Sequence, residues 1–349
     1  MSASLQNALK FILFLGIGTG IMYVLYTKNQ EAYLAHCMEN GIPTEACSLW
    51  NKLRDDFRHL NYGWISLIFV GFALTNYSRA IRWQILLNTM GFKTRFTSAY
   101  SSIFVGYLAN LGFPRIGEFV RAGVMARQEQ LPADKVFGSI LLDRLADITT
   151  FFMLVGLAVV IDPGPFRSFF TQFAKLPSIQ VNGVVLGLVV VALSLFWIFR
   201  EALFRLSLIR KMTSLIAGVW EGMRSIKNLE RRNAFVLHTL LIWVWFYMMF
   251  AFACKAFEPT SSLGLGQMLV VYVFGSFGVF IPSPGGMGTF HYLVIVSLSI
   301  YGIQQADAFS FANIAFTWGQ FLCLVVFGTA SLLWIFRSGG TPGVPAQKS

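Results

Sequence analysis

Two apolar stretches of this chain are interrupted in the same way. One reads LANLGFPRIGEFVRAGVMAR over 108–127 and the other FGVFIPSPGGMGTFHYLV over 277–294. In each, an apolar run stops at proline, turns at glycine and becomes apolar again. A lone break of this kind is a loop. Two of them, at corresponding places in the two halves of a lipid-soluble chain, are the mark of discontinuous helices meeting at a binding site near the middle of a bilayer. The rest of the chain is organised around two such re-entrant hairpins.

The chain is lipid-soluble by composition. Of 349 residues, 56% are hydrophobic and 12% charged, where a soluble domain carries about 25% charged residues. The net charge of +11 is unevenly spread. Residues 78–135 and 200–232 each hold eight Lys/Arg against three acids, while residues 27–61 hold four against five. Basic loops stay in the cytoplasm, so this pattern expresses topology and not nucleic-acid binding. It places both termini inside and the first loop outside.

Taken in order, residues 9–26 read as a retained first span, long enough at about 1.5 Å per residue and without a small-residue cleavage pattern. Residues 62–77 return, and their helix continues through Arg79, Arg82 and Trp83, where the arginines are read as anchors at the inner head groups. Residues 97–113 dip in and 117–127 come back. Residues 136–161 span, 162–179 form a short outer loop, and 180–199 span inward. Residues 201–230 repeat Leu208, Met212, Leu215, Val219, Met223 and Ile226 among Arg205, Lys211, Arg224 and Lys227. This is the pattern of an amphipathic helix in the inner interface. Residues 234–257 span outward, 266–302 form the second hairpin, 308–336 span back, and 338–349 make a Gly/Pro-rich disordered tail. The fold class is all-α: one polytopic membrane domain over 1–337 with six full spans and two re-entrant hairpins. Its halves, 62–161 and 234–336, form an inverted repeat.

Cys37 and Cys47 lie ten apart in the first loop. An outside location permits a disulfide, and two free thiols are the alternative. Cys254 and Cys323 sit in apolar runs and read as core.

The candidate site residues are few. Asp143, Arg144 and Asp147 fall on one spanning helix, the two aspartates about 40° apart at about 100° per residue. Ionisable groups on such a helix face the interior or a wet cavity and pair there. Asp143 and Asp147 could form an acid/base pair, but Arg144 beside them favours ion pairing. His36, His59, His238 and His291 make no zinc motif, and neither CxxC, GxSxG nor a Walker loop occurs. No cofactor or metal is expected, and the chain is read as not an enzyme.

Binding accounts for more of the pattern. A charged lipid head needs fixed charge and dipoles to cross about 30 Å of hydrocarbon, and half-helix starts offer free N–H groups to anions. Pro284, Gly285, Gly286 and Gly288 open such a start, with His291 in its first turn. They could equally form only a tight buried turn. On the first hairpin Arg115 and Arg121 supply charge. Glu118 could orient an arginine for a substrate, or pair Arg144 for purely structural reasons.

The segments PRIGEFVRAGVMAR and SILLDRLADI, then FIPSPGGMGTFHY, with RAIRW before them, appear in that order. Together they resemble the family of the lysylphosphatidylglycerol synthase transmembrane region, over about 60–335. The resemblance implies a helical bundle with re-entrant hairpins that moves lipids between leaflets. By position it implies roles for Arg115, Glu118, Arg121, Asp143, Arg144, Asp147 and the stretch from Pro284 to Gly288. No aminoacyl-transferase segment follows, so lipid synthesis is not implied. The first hairpin reads Pro-Arg where the family often has Gly-Arg.

The expected function is that of an inner-membrane flippase for an anionic or phosphate-bearing lipid: a phospholipid, an aminoacyl-phospholipid or a polyprenyl phosphate. The alternatives are a membrane subunit or enzyme of polyprenyl-lipid glycosylation, and a non-catalytic scaffold. The partner is a membrane lipid, not nucleic acid, and a homo-oligomer is left open.

Overall fold

A computed structural model describes residues 3–112, 116–174, 229, 231–281 and 286–337. The span expected at 180–199, the amphipathic helix at 201–230 apart from Leu229, the tail at 338–349, and Arg115, Pro284 and Gly285 lie outside the described residues. Among those described there are helices and no strands.

Helix α1 runs from Ala3 to Glu39 and α2 from Leu49 to Arg58. The first loop expected at 27–61 is therefore largely helical. Nothing in KNQEAYLAHCME breaks a helix, so α1 continues until Gly41, with φ of +68°, and Pro43 turn the chain. Ser48 then caps α2 by accepting from the Asn51 N–H at 3.3 Å. The Sγ atoms of Cys37 and Cys47 are bonded across this turn. The Gln30 side chain joins the same corner, accepting from the Leu49 N–H and donating to the Cys47 carbonyl, both at 2.8 Å.

Helix α3 spans Tyr62–Thr89 and α6 Ala133–Ile161; α8 spans Arg232–Ala256. Between α3 and α6 lie α4 (Phe96–Gly112) and α5 (Gly117–Glu129), the arms of the first hairpin. After α8 and one short turn come α9 (Leu265–Phe280) and α10 (Thr289–Ile300), the arms of the second. The last element runs continuously from α11 (Gln305–Phe316) through a π-helical turn (Thr317–Leu322) into α12 (Cys323–Arg337). Among the described residues four helices are long and apolar enough to cross a membrane: Tyr62–Thr89, Ala133–Ile161, Arg232–Ala256 and Gln305–Arg337. The expected first span falls within α1. Part of the expected outer loop at 162–179 is also helix: α7 covers Gly164–Ala174, because Phe166 and Phe169, three apart, pack on Phe274 at 5.0 and 5.2 Å between ring centroids.

The arrangement turns on α3 and α8. They lie side by side and antiparallel: the Asn61 N–H donates to the Ala256 carbonyl at 3.0 Å, Gly71 faces Met249, and Arg82 reaches Thr239. Their ends therefore point opposite ways, and each launches a hairpin from its own end. The hairpins then cross over. Arm α4 packs on α12, with Phe104 and Phe327 stacked at 5.3 Å, and arm α9 packs on α6, with Phe151 and Phe277 at 5.0 Å.

Both hairpins close on a glycine. A Cβ on Gly106 would come within 2.7 Å of the Gly117 carbonyl oxygen, and one on Gly278 within 2.6 Å of the Phe290 Cα and the Thr289 carbonyl oxygen. Each closure is tied by a side chain. Asn110 Oδ1 accepts from the Gly117 N–H at 2.7 Å, and Thr289 Oγ1 donates to the Gly278 carbonyl at 2.6 Å. Only a residue without Cβ lets the two backbones approach so closely.

At the far end of α11, Lys52 Nζ sits 2.6 Å from Asp307 and 2.9 Å from Asp56, joining α2 to the last helix. Burial alone would lower the Lys52 pKa, but hydrogen bonds to Asp307 and Asp56 outweigh it and hold it above the ordinary lysine value.

Two predictions follow from these contacts. Gly278→Val should abolish a stable fold or cut the yield of folded protein severely, whereas Gly156→Ala in α6, with nothing within 4 Å of its Cβ, should be neutral or stabilising by up to about 1 kcal/mol; thermal melts of the two variants in detergent compare them. A lysine whose pKa is raised by folding stabilises fully below its unfolded value and loses that stabilisation as pH rises through the folded value. Lys52→Met should therefore flatten the alkaline decline of the melting temperature, measured from pH 8 to about pH 12.

Candidate functional site

The centre of the molecule holds a network of charges on α3, α5 and α6. Arg79 Nη1 donates to Asp147 Oδ2 at 2.7 Å, and Arg82 Nη2 donates to Asp147 Oδ1 at 2.7 Å. Arg82 also holds Asp143, with Nε donating to Oδ1 at 2.8 Å and Nη2 2.6 Å from the same oxygen. From α5, Arg121 Nη1 reaches Asp143 Oδ2 at 3.3 Å. Arg144 Nη2 donates to Glu118 Oε1 at 2.9 Å and Arg144 Nη1 lies 3.5 Å from Asp147 Oδ2.

Helix spacing explains the convergence. Arg79 and Arg82 are three apart on α3, and Asp143 and Asp147 four apart on α6, so each pair shares a face. Guanidinium forks suit carboxylates in two directions, which lets Arg82 hold both aspartates together. Trp83 completes the contact. Its Nε1 donates to Ser139 Oγ at 2.8 Å, and its ring lies under the Arg121 guanidinium with 3.8 Å from Cζ to the centroid, a cation–π contact.

Arg79 and Arg82 are 3% and 0% exposed. They are not interfacial anchors, as their place near a helix end suggests, but core members of the network. Their sequence signal was available: two aspartates on a neighbouring span need partners, and an arginine within an apolar helix pairs inside the bundle.

Beside the network lies a cavity of about 470 Å³. Arg79, Arg144, Glu118 and Asp147 form its charged side, with Tyr107 and Asn110 of α4 next to them. The remaining wall is largely apolar, including Trp243, Phe246 and Phe250 of α8 and Val279, Phe280 and Phe290 of the second hairpin. Tyr272, Ser276 and Gln320 add polar groups among these. Both hairpins thus contribute to one chamber. Gln320 belongs to the π-helical turn, a local widening of the helix that often accompanies functional sites.

The expected site residues divide by position. Glu118, Arg144, Asp147 and Gly286 line the cavity. Arg121 and Asp143 are buried behind its charged side. Gly288, with φ of +85°, packs against Ile21 of α1. His291 is 2% exposed, its Nδ1 3.4 Å from the Gly288 N and its ring 4.8 Å from that of Phe316. It caps the start of α10 and does not line the cavity. Among the described residues no group of His, Cys, Asp and Glu could hold a metal ion.

A model of the lysylphosphatidylglycerol synthase transmembrane region matches residues 48–328. The chain is also 31% identical over 83 residues to the glycosyltransferase AglD of Haloferax volcanii, a match covering 24% of this chain and 13% of that protein. No solved structure matches. The match at 48–328 takes in both hairpins, the charged network, three of the long apolar helices and most of the fourth; this is an integral membrane protein that belongs to the lysylphosphatidylglycerol synthase transmembrane region family.

Proposed function

We propose that this protein carries a phosphate-bearing lipid between the leaflets of the inner membrane. The observation that carries this reading is the chamber between the hairpins, with guanidinium groups on one side and aromatic and aliphatic groups on the rest. A lipid has the same division. A charged head needs hydrogen-bond donors inside the bilayer, since exposing it to hydrocarbon costs several kcal/mol, while its chains need only apolar contact.

The reciprocal packing of two hairpins hung from opposite ends of an antiparallel pair supports an inverted repeat, in which one half rocks on the other about a fixed site. The bonded Cys37–Cys47 corner fits an oxidising outer compartment and is consistent with cytoplasmic termini. The carrier acts without cofactor and without a chemical step of its own, and the lipid is a phospholipid, an aminoacyl-phospholipid or a polyprenyl phosphate. The chamber is built within one chain, so transport does not require a homo-oligomer.

A second reading is favoured by the 83-residue similarity to a glycosyltransferase: a membrane subunit acting on polyprenyl lipids in glycosylation. A glycolipid product made by the purified protein from a sugar donor and polyprenyl phosphate would support it over transport.

Two variants test the carrier. In proteoliposomes with a headgroup-labelled phospholipid, Arg144→Ala should slow leaflet exchange at least about tenfold, the loss of one charge-assisted hydrogen bond to the head. Ser276→Trp, which fills the chamber from α9, should stop exchange while the melting temperature stays close to wild type. Wild-type rates in both would remove the site. Asp143→Ala should instead destabilise the protein by about 3–5 kcal/mol, because it leaves buried arginines uncompensated; denaturant titration in micelles measures it.

A further inference from the structure

The three carboxylates of the network are held very unequally. Asp147 lies within 4 Å of Arg79, Arg82 and Arg144, and Asp143 within 4 Å of Arg79, Arg82 and Arg121. Both are buried. Among the described residues Glu118 has a single arginine partner, Arg144, at 2.9 Å, and the two side chains are 26% and 34% exposed. Both face the chamber. Glu118 is thus the one member of the network that a ligand could reach and replace at little cost to the core.

The charge balance says what kind of ligand. Four arginines meet three carboxylates in the described network, leaving one formal positive charge in a poorly solvated place. Such a surplus is expensive to bury and favours a bound anion. Donors are also available. The Nε atoms of Arg79 and Arg144, two residues that line the chamber, are buried without hydrogen-bond partners among the described residues, and Arg79 itself is 3% exposed.

We infer that Glu118 is an internal stand-in for the substrate's phosphate. It occupies Arg144 when the chamber is empty, and a lipid phosphodiester whose head carries net negative charge displaces it, whereas a zwitterionic head, its phosphate already balanced by its own cation, does not. The exchange of one carboxylate for one singly charged phosphate keeps the Arg144 pairing satisfied. The surplus charge elsewhere in the network then draws the phosphodiester in, and Glu118, in the first turn of α5, is released towards the chamber. Because Glu118 belongs to the first hairpin and Arg144 to α6, the same exchange breaks one of the ties between them. The tie from Arg121 to Asp143 remains. Glu118 is therefore a specificity-determining and positioning residue: it sets the affinity for anionic heads and reports occupancy to the hairpin.

This inference rests on the lipid-transport reading, and the test separates the two. Full-length protein in nanodiscs is titrated with short-chain phosphatidylglycerol, a phosphodiester of charge −1, with zwitterionic phosphatidylcholine, and with water-soluble glycerophosphoglycerol. Wild type should bind phosphatidylglycerol at least about tenfold tighter than phosphatidylcholine. Equal binding of the two overturns the inference, whatever happens to the variants. Glycerophosphoglycerol binding as tightly as the lipid overturns the lipid part of the assignment.

Glu118→Gln, which keeps the shape and removes the competing charge, should tighten phosphatidylglycerol binding about tenfold and leave phosphatidylcholine unchanged. Glu118→Asp, which keeps the charge, should restore near wild-type affinity. A purely structural Glu118 predicts weaker or equal binding of both lipids in Glu118→Gln, and that result sinks the proposal. Tightened binding with no leaflet exchange in wild type would remove the transport reading and leave the exchange of anions standing. Leaflet exchange in wild type without tightening in Glu118→Gln would do the reverse.

Discussion

The structure depends on a group of guanidinium and carboxylate side chains held together where the surroundings are mostly hydrocarbon-like. Arg79 and Arg82 of α3 grip Asp143 and Asp147 of α6, and Arg121 brings α5 to the same place. None of these charges is tolerable alone. A single buried charge without a partner is costly in a protein core and more so in a membrane, so the three helices are obliged to meet. Apolar packing alone would not enforce that, since one lipid-facing leucine is much like another and lipid tails satisfy it equally well. The polar network supplies register and the aromatic contacts fill in around it.

The two hairpins follow a second constraint, the need to satisfy backbone groups within the bilayer. A chain that turns back at mid-membrane leaves the ends of two helices without intrahelical partners. Here the open ends are placed against other protein. The Gly117 N–H donates to Asn110, the Gly278 carbonyl accepts from Thr289, and the small Gly106 and Gly278 let the arms close at backbone distance. The arm ends at Asn110, Ile281 and Gly286 border the chamber, so these helix ends face a cavity. The chamber and the close packing of the arms are thus consequences of the same requirement.

The chamber's chemistry is divided because its walls come from elements with different tasks. The charged side comes from α3, α5 and α6, which need their ion pairs to assemble. The apolar side comes largely from α8 and the second hairpin, with Trp243, Phe280 and Phe290, and Phe246 meets the charged side where the Arg79 guanidinium lies 5.8 Å from its ring centroid. Stability and recognition share residues on the first side: Asp147 holds the core and also borders the cavity. That overlap makes Glu118 and Arg144, the least buried pair, the place where the network can yield to a ligand without coming apart.

The sequence alone determined the class of fold, the broken hairpins and most of the charged residues of the central network, because hydropathy, proline–glycine breaks and intramembrane charge are local properties of the letters. It also carried the resemblance to the family whose match spans residues 48–328. The roles of individual residues were less legible. Arg79 and Arg82 read as anchors near a helix end, yet they are central, because depth is set by where α6 places its aspartates. His291 read as a ligand beside a half-helix start, yet its ring caps that start and faces Phe316. Tyr107, Tyr272 and Gln320 gave no signal at all: a tyrosine or glutamine on an apolar helix points to a chamber only once the neighbouring helices are rotated into place. Which face of each helix meets which neighbour is decided by long-range pairing between segments far apart in the chain, and that information exists only in the assembled structure.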